Sequence, residues 1–141
     1  MAPTTFENAS ADLVWEVVKN NHAFLKKQRG VRQAFSLERF NLKGVNSRRY
    51  SGFSSDNGVD ITTNDGQIVV STRNGEQKFH PNKAIASETF PRSRRAARSA
   101  GAITKKQRPG LEKTAQLRTA QLLASLKPVK TRRAAAAKTE A

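Results

Sequence analysis

Residues 57–75 read Asn-Gly-Val-Asp-Ile-Thr-Thr-Asn-Asp-Gly-Gln-Ile-Val-Val-Ser-Thr-Arg-Asn-Gly, and the fold turns on this stretch. Three turn pairs, Asn57-Gly58, Asp65-Gly66 and Asn74-Gly75, recur at eight- and nine-residue spacing. Such pairs accept positive φ at both central positions and suit tight hairpins. Between them, residues 59–63 and 67–73 are short and rich in β-branched side chains. With 50–54 before and 76–79 after, the spacing predicts a four-stranded antiparallel meander. Val59, Ile61, Ile68, Val70, Phe53 and Phe79 are the candidates for its buried face.

Upstream, Ser10 or Asn8 can cap a helix over 11–20, with Asp12 in its first turn. Leu13, Val14, Val17 and Val18 fall on one face at helical spacing, and Asn20-Asn21 makes a stop. Leu13, Trp15 and Val17 also alternate, so a strand stays open on pattern alone. As a helix, the segment would most economically cover the meander, which gives an α+β head. Trp15 lies off the stripe and would border a groove. Residues 23–28 and 33–37 read as two short extended pieces able to pair. Lys26, Lys27, Arg29 and Arg32 make the end of the first one basic. Lys26 and Lys27 suit either a charged edge that discourages aggregation or a phosphate contact.

Residues 41–53 form a loop running into the sheet, with Asn41, Gly44, Asn46 and Ser47 as its turn formers. Arg48 and Arg49 lie beside Tyr50 and Phe53. Guanidinium groups pair bidentately with phosphate and stack on bases, so the cluster suits RNA. A solvated basic turn whose rings belong to the core fits the same residues.

The chain has 141 residues, no cysteine, a net charge of +15 and an isoelectric point near 11.2. That length carries one small domain with extensions. We divide it into a flexible lead (1–10), the head (11–82), a basic helical extension (83–128) and a basic tail (129–141). Residues 1–90 hold 12 Lys and Arg against 9 Asp and Glu, whereas 91–141 hold 14 against 2. So charged a segment repels itself and is expected to need a polyanion before it becomes compact. Nucleic acid is the leading partner. No apolar run reaches membrane-spanning length, and residues 1–7 carry neither a basic n-region nor an apolar h-region of a secretory signal.

Beyond the change of composition at 81–91, Arg92, Arg94, Arg95 and Arg98 stand among alanines. They predict a helix over 92–100 that Gly101 weakens. Ala96 and Ala97 would let it lie close to RNA or to a neighbouring protein. Lys105, Lys106 and Arg108 continue the charge. Pro109 suits the first position of a second helix, and Pro128 ends it. Leu111, Ala115, Leu122 and Leu126 share a face there, fit for docking on its own domain or on a neighbour. Residues 129–141 lack a periodic apolar face and read as disordered or RNA-ordered.

Catalytic chemistry finds little footing. There is no P-loop, no dinucleotide-binding glycine pattern and no His–carboxylate spacing. His22 and His80 have no partners at metal-ligand spacing, and Asp56, Asp60 and Asp65 lack the remaining ligands of a calcium loop. We expect no enzyme, no cofactor, no metal and no small-molecule substrate.

Asn41-Leu42-Lys43, Asn46-Ser47, Arg49-Tyr50 and Gly52 together resemble the pattern of the eukaryotic large-subunit ribosomal protein L twenty-eight family. The match extends to Leu13-Val14-Trp15-Glu16-Val17-Val18-Lys19-Asn20 and Phe24-Leu25, and resumes at Arg108-Pro109-Gly110-Leu111. Where the family usually has an acidic residue after that proline, this chain has Gly110, which weakens the helix start. The resemblance favours a helix for 11–20. It implies a structural constituent of the large subunit of the cytosolic ribosome, bound to ribosomal RNA beside neighbouring large-subunit proteins, with passage through the nucleolus and no homo-oligomer. On that reading Arg48, Arg49, Arg92, Arg94, Arg95, Arg98, Lys105, Lys106 and Arg108 are the phosphate contacts and Tyr50 the stacking ring. Lys26, Lys27, Arg29, Arg39 and Lys43 form a second tier. A ribosome-assembly factor of the Mak-sixteen type is the alternative, although such proteins are longer and carry cysteines suited to metal. A general DNA-compacting protein would leave the turn-rich sheet unexplained.

Overall fold

The structure, a computed structural model, describes residues 9–77 and 80–128. The lead through residue 8, Phe79 and the 129–141 tail lie outside these. Helix α1 (Ala11–Val18) is followed by β1 (Leu25–Lys26) and β2 (Phe35–Ser36), then by β3 (Gly58–Asn64) and β4 (Gln67–Arg73). A 3₁₀ turn (Gly75–Gln77) and the short α2 (Pro81–Ala84) lead into β5 (Ile85–Phe90), α3 (Arg94–Gln107) and α4 (Glu112–Ser125). Among the described residues β1 pairs with β2, and a three-stranded antiparallel sheet has the order β3-β4-β5. The α+β class is as the sequence predicts.

The central hairpin follows from its turn. Asp65 and Gly66 take φ of +49° and +75°, so Asn64 faces Gln67 and Ile61 faces Val70 across the ladder. Alternation then puts Val59, Ile61, Ile68 and Val70 on one face, all buried. The expected β1–β2 pairing is present in brief form. Residues 50–54 are not a strand, and residues 75–77 are a 3₁₀ turn. The third strand is instead β5, from a stretch assigned to the boundary and extension. Only Ile85 and Phe90 of β5 are even half-buried, so it is an edge strand recruited by its hydrogen-bond ladder to β4, with little apolar pattern to announce it.

The main correction concerns what covers the sheet. Helix α1 is capped as expected, Ser10 Oγ accepting from Leu13 N at 3.2 Å. Yet it has no buried residue, and Leu13 and Val17 of its apolar stripe are 56% and 72% exposed. The helices on the sheet are α3 and α4, which pack on each other and on β3 and β4. Ala96, Ala100, Leu111 and Ala115 close over the four sheet residues, with Leu42 joining from the loop. A groove does border α1, lined by Leu13, Val14, Val17, Val18, His22 and Phe53, on the stripe and away from Trp15.

The small residues of α3 are small for this packing. A Cβ on Gly101 would lie 2.7 Å from Nε2 and 2.9 Å from Cγ of Gln116. Gly101 therefore marks where α4 crosses α3, and the helix runs on to Gln107. Ala96 faces the core, whereas Ala97 is half-buried and lines an open cleft with Arg92, Arg94, Ala120, Leu123, Ala124 and Lys127. Pro109 does not open α4. Gly110 takes φ +90°, Leu111 stands at the N-cap position, and the helix begins at Glu112. The α4 stripe docks on the chain's own domain, with Leu122, Leu123 and Leu126 packed against the core.

Candidate nucleic-acid interface

Loop 41–53 is built around a buried carboxylate. Glu38 is 6% exposed. Its Oε1 accepts from Asn41 Nδ2 at 2.9 Å, and its Oε2 accepts from Ser51 Oγ at 3.5 Å. Asn41 also donates to Val45 O at 3.0 Å and accepts from Gly44 N at 2.9 Å. Asn46 Nδ2 donates to Lys19 O at 2.7 Å, tying the loop to the end of α1. Asn41 thus serves as a turn former through its side-chain amide, as expected, whereas Asn46 spends its amide on a long-range tie.

Arg73, at the end of β4, is the second anchor, and no sequence signal pointed to it. Its Nη2 donates to Gly52 O at 2.7 Å and to the Ser55 carbonyl, and its Nε donates to Asp56 O at 3.0 Å. The guanidinium also lies 4.9 Å above the ring of Phe40. Burial is the main reason its pKa falls below the ordinary arginine value, with Asp56 and then Glu38 opposing. Gly52 completes this knot. A Cβ there would sit 2.4 Å from the carbonyl oxygen of Arg39, and backbone cannot yield as a flexible side chain can. Gly52→Ala therefore costs about 1–3 kcal/mol of stability, measurable as a lowered denaturation midpoint.

The expected contact residues divide into two groups. Arg48 bridges to Asp12 at 2.8 Å and donates to Ser54 Oγ at 3.2 Å. Arg49 donates to Gly110 O at 2.9 Å, and Arg108 returns a bond to Arg49 O at 2.8 Å and reaches Ser51 O at 3.4 Å. These three arginines staple the loop to α1 and to the α3–α4 connection. Tyr50 is half-buried against the core, with Lys43 Nζ and Arg49 Cζ at 5.2 and 5.9 Å from its ring centre. Arg39 lies 3.6 Å from Asp60 and 5.0 Å over Phe40. Lys26, Lys27 and Arg29 are exposed on and beside the β1–β2 hairpin, an element apart from α3.

The other group is free of ion pairs among the described residues. Arg92, Arg94, Arg95, Arg98, Lys105 and Lys106 are all exposed. At about 100° per residue, Arg94, Arg98 and Lys105 form one line along α3, and Arg95 and Lys106 an adjacent one. The buried arc of the helix is Ala96, Ala100, Gly101 and Thr104, so nearly the whole solvent arc is cationic. Ser93 caps the helix by accepting from Arg95 N at 3.2 Å, and the first turn holds no acid. Arg94 and Arg95 thus add to the positive end of the helix dipole. The cations of α3 are confined to water while its alanines make the packing.

No helix among the described residues is long and apolar enough to cross a membrane, and no group of three or more His, Cys, Asp or Glu among them could hold a metal ion.

Fold and charge together define the class: a small basic α+β protein with a row of exposed cations along one helix. The ribosomal L28e protein family model matches residues 13–125, and the chain belongs to that family. Among similar proteins, large ribosomal subunit protein eL28 of Caenorhabditis elegans is 44% identical over 94 residues, covering 63% of this chain and 73% of that protein. The protein of the same name from Dictyostelium discoideum is 31% identical over 86% of this chain and 92% of its own length. That of Schizosaccharomyces pombe is 30% identical over 88% and 98%. None of these three names denotes an assembly factor.

Proposed function

We propose that this family member is a structural constituent of the large subunit of the eukaryotic cytosolic ribosome, holding ribosomal RNA through the solvent arc of α3. It works by binding without turnover. Arg92, Arg94, Arg95, Arg98, Lys105 and Lys106 meet backbone phosphates, each contact releasing condensed counterions. Phosphate contacts of this kind fix position and orientation and carry no sequence information, so recognition rests on RNA shape. The observation that carries the reading is the cationic arc, free of ion pairs among the described residues, on a helix whose opposite face is buried in the core. Arg48, Arg49 and Arg108 act first on the loop itself. The protein enters the particle as a single copy beside neighbouring large-subunit proteins, after passage through the nucleolus.

Crosslinking of purified ribosomes tests this. Peptides spanning residues 92–106 are expected to carry RNA adducts at higher yield than those spanning 25–29. Adducts absent from α3, or confined to the β1–β2 hairpin, would remove α3 as the interface.

A further inference from the structure

A cleft of about 360 Å³ opens between the N-terminal end of α1 and the loops 54–57 and 107–109, its lining including Ala11, Arg48, Ser55, Asp56, Gln107 and Arg108. Two guanidinium groups line it, those of Arg48 and Arg108, with Arg73 near enough to act on Arg108 but outside the lining, and the three are unequally compensated. Arg48 has Asp12, a carboxylate 84% exposed to solvent. Arg73 has the opposing charges of Asp56 and Glu38. Arg108 forms no ion pair among the described residues and directs its nitrogens to the neutral carbonyls of Arg49 and Ser51. Burial first, then repulsion from Arg48 and Arg73, pulls the Arg108 guanidinium below its ordinary pKa. A half-buried cation sharing an open cleft with the like charge of Arg48 is a condition that an anion relieves.

We propose that this cleft is a preformed seat for one phosphate group, held between Arg48 and Arg108 at the N-terminal end of α1. A phosphate oxygen takes over from Asp12 at Arg48, where the existing bridge is a solvent-exposed pair and therefore weak. Charge-assisted bonds from two guanidinium groups, with the Gln107 amide and the Ser55 hydroxyl on the lining, suit a tetrahedral oxyanion. The positive end of α1 favours the same charge. That the phosphate belongs to an RNA backbone rests on the proposed function; that the cleft takes phosphate does not.

The test is a titration of the full-length chain followed by the Nε–H signals of its arginines in nuclear magnetic resonance. Inorganic phosphate is added in one arm and a six-nucleotide uridine RNA in another, with chloride holding the ionic strength. Saturable shifts are expected at Arg48 and Arg108 in at least one arm, and which arm saturates tells free phosphate from backbone phosphodiester. Ala11→Trp, which fills the cleft without altering net charge, is expected to abolish the saturation. Asp12→Asn, which removes the competing carboxylate, is expected to tighten binding about two- to fivefold. Linear shifts shared equally with Arg94, Arg95 and Arg98 would overturn the proposal. So would saturation that survives Ala11→Trp, or binding no tighter in Asp12→Asn, and the last arm decides alone if the tryptophan variant does not fold. Glutamine replacement of the α3 arginines tests RNA binding separately, so either reading can fail without the other.

Discussion

Replacing Arg94, Arg95 and Arg98 together by glutamine is expected to lower the slope of log affinity against log salt, measured with large-subunit RNA, by about 2 to 3. Each phosphate neutralised contributes a little under one unit to that slope, and these three side chains have no ion-pair partner among the described residues. At physiological salt the loss corresponds to about a hundredfold in affinity. The fold should be untouched, because all three side chains are exposed on the face opposite Ala96 and Ala100. Stability should rise slightly, since Arg94 and Arg95 oppose the helix dipole in the first turn. An unchanged salt slope in the folded triple variant would show that RNA is held elsewhere.

Arg73→Met is expected to cost about 3–5 kcal/mol of stability, because three carbonyls lose a charged donor and two of them, those of Gly52 and Ser55, are part-buried and left unsatisfied. Methionine keeps much of the contact with Phe40, so the loss reports the hydrogen bonds to Gly52, Ser55 and Asp56. Arg73→Lys should not rescue it, since a single ammonium cannot reproduce the planar fork that spans these carbonyls. The contrast is Arg49→Met, which removes one exposed bond to Gly110 O and should cost under about 1 kcal/mol. Equilibrium denaturation of the three variants measures both the size and the order. Equal losses at Arg73 and Arg49 would refute the knot as the anchor of the loop.

The two experiments address two kinds of arginine that one sequence pattern cannot separate. Arg48 and Arg49 looked like RNA contacts because they stand beside rings in a turn-forming loop. In the fold they also bond within the chain, Arg48 to Ser54 and, through a solvent-exposed bridge, to Asp12, and Arg49 to the Gly110 carbonyl. A guanidinium suits a phosphate and a backbone carbonyl for the same reason, its fixed planar array of donors, and only the neighbours decide which it meets. Arg94, Arg95 and Arg98 differ because their own helix settles the matter. Alanines at helical spacing define the inward face, so the arginines between them must point to solvent.

Much of the architecture was legible in local chemistry. Asp65-Gly66 dictates a hairpin because both positions accept positive φ, and alternation from that turn sets Val59, Ile61, Ile68 and Val70 inward. Ser10 caps α1 for an equally local reason, and the leucine stripe of α4 was legible as a docking face, though not which surface it docks on. Tertiary structure alone decided which helix covers the sheet, which strand completes it and where Glu38 and Arg73 are spent. Leu13 and Val17 offered an apolar stripe as good as any, but the α3–α4 pair, crossing closely at Gly101, covers both β3 and β4 where one eight-residue helix could not. β5 joined through backbone hydrogen bonds, which every non-proline residue can make and which no side-chain pattern therefore advertises. The sequence determined by itself which residues turn, alternate or repeat along a helix, since those properties depend on near neighbours. Which surfaces meet is a competition among distant segments, and it is settled only when all of them are in place.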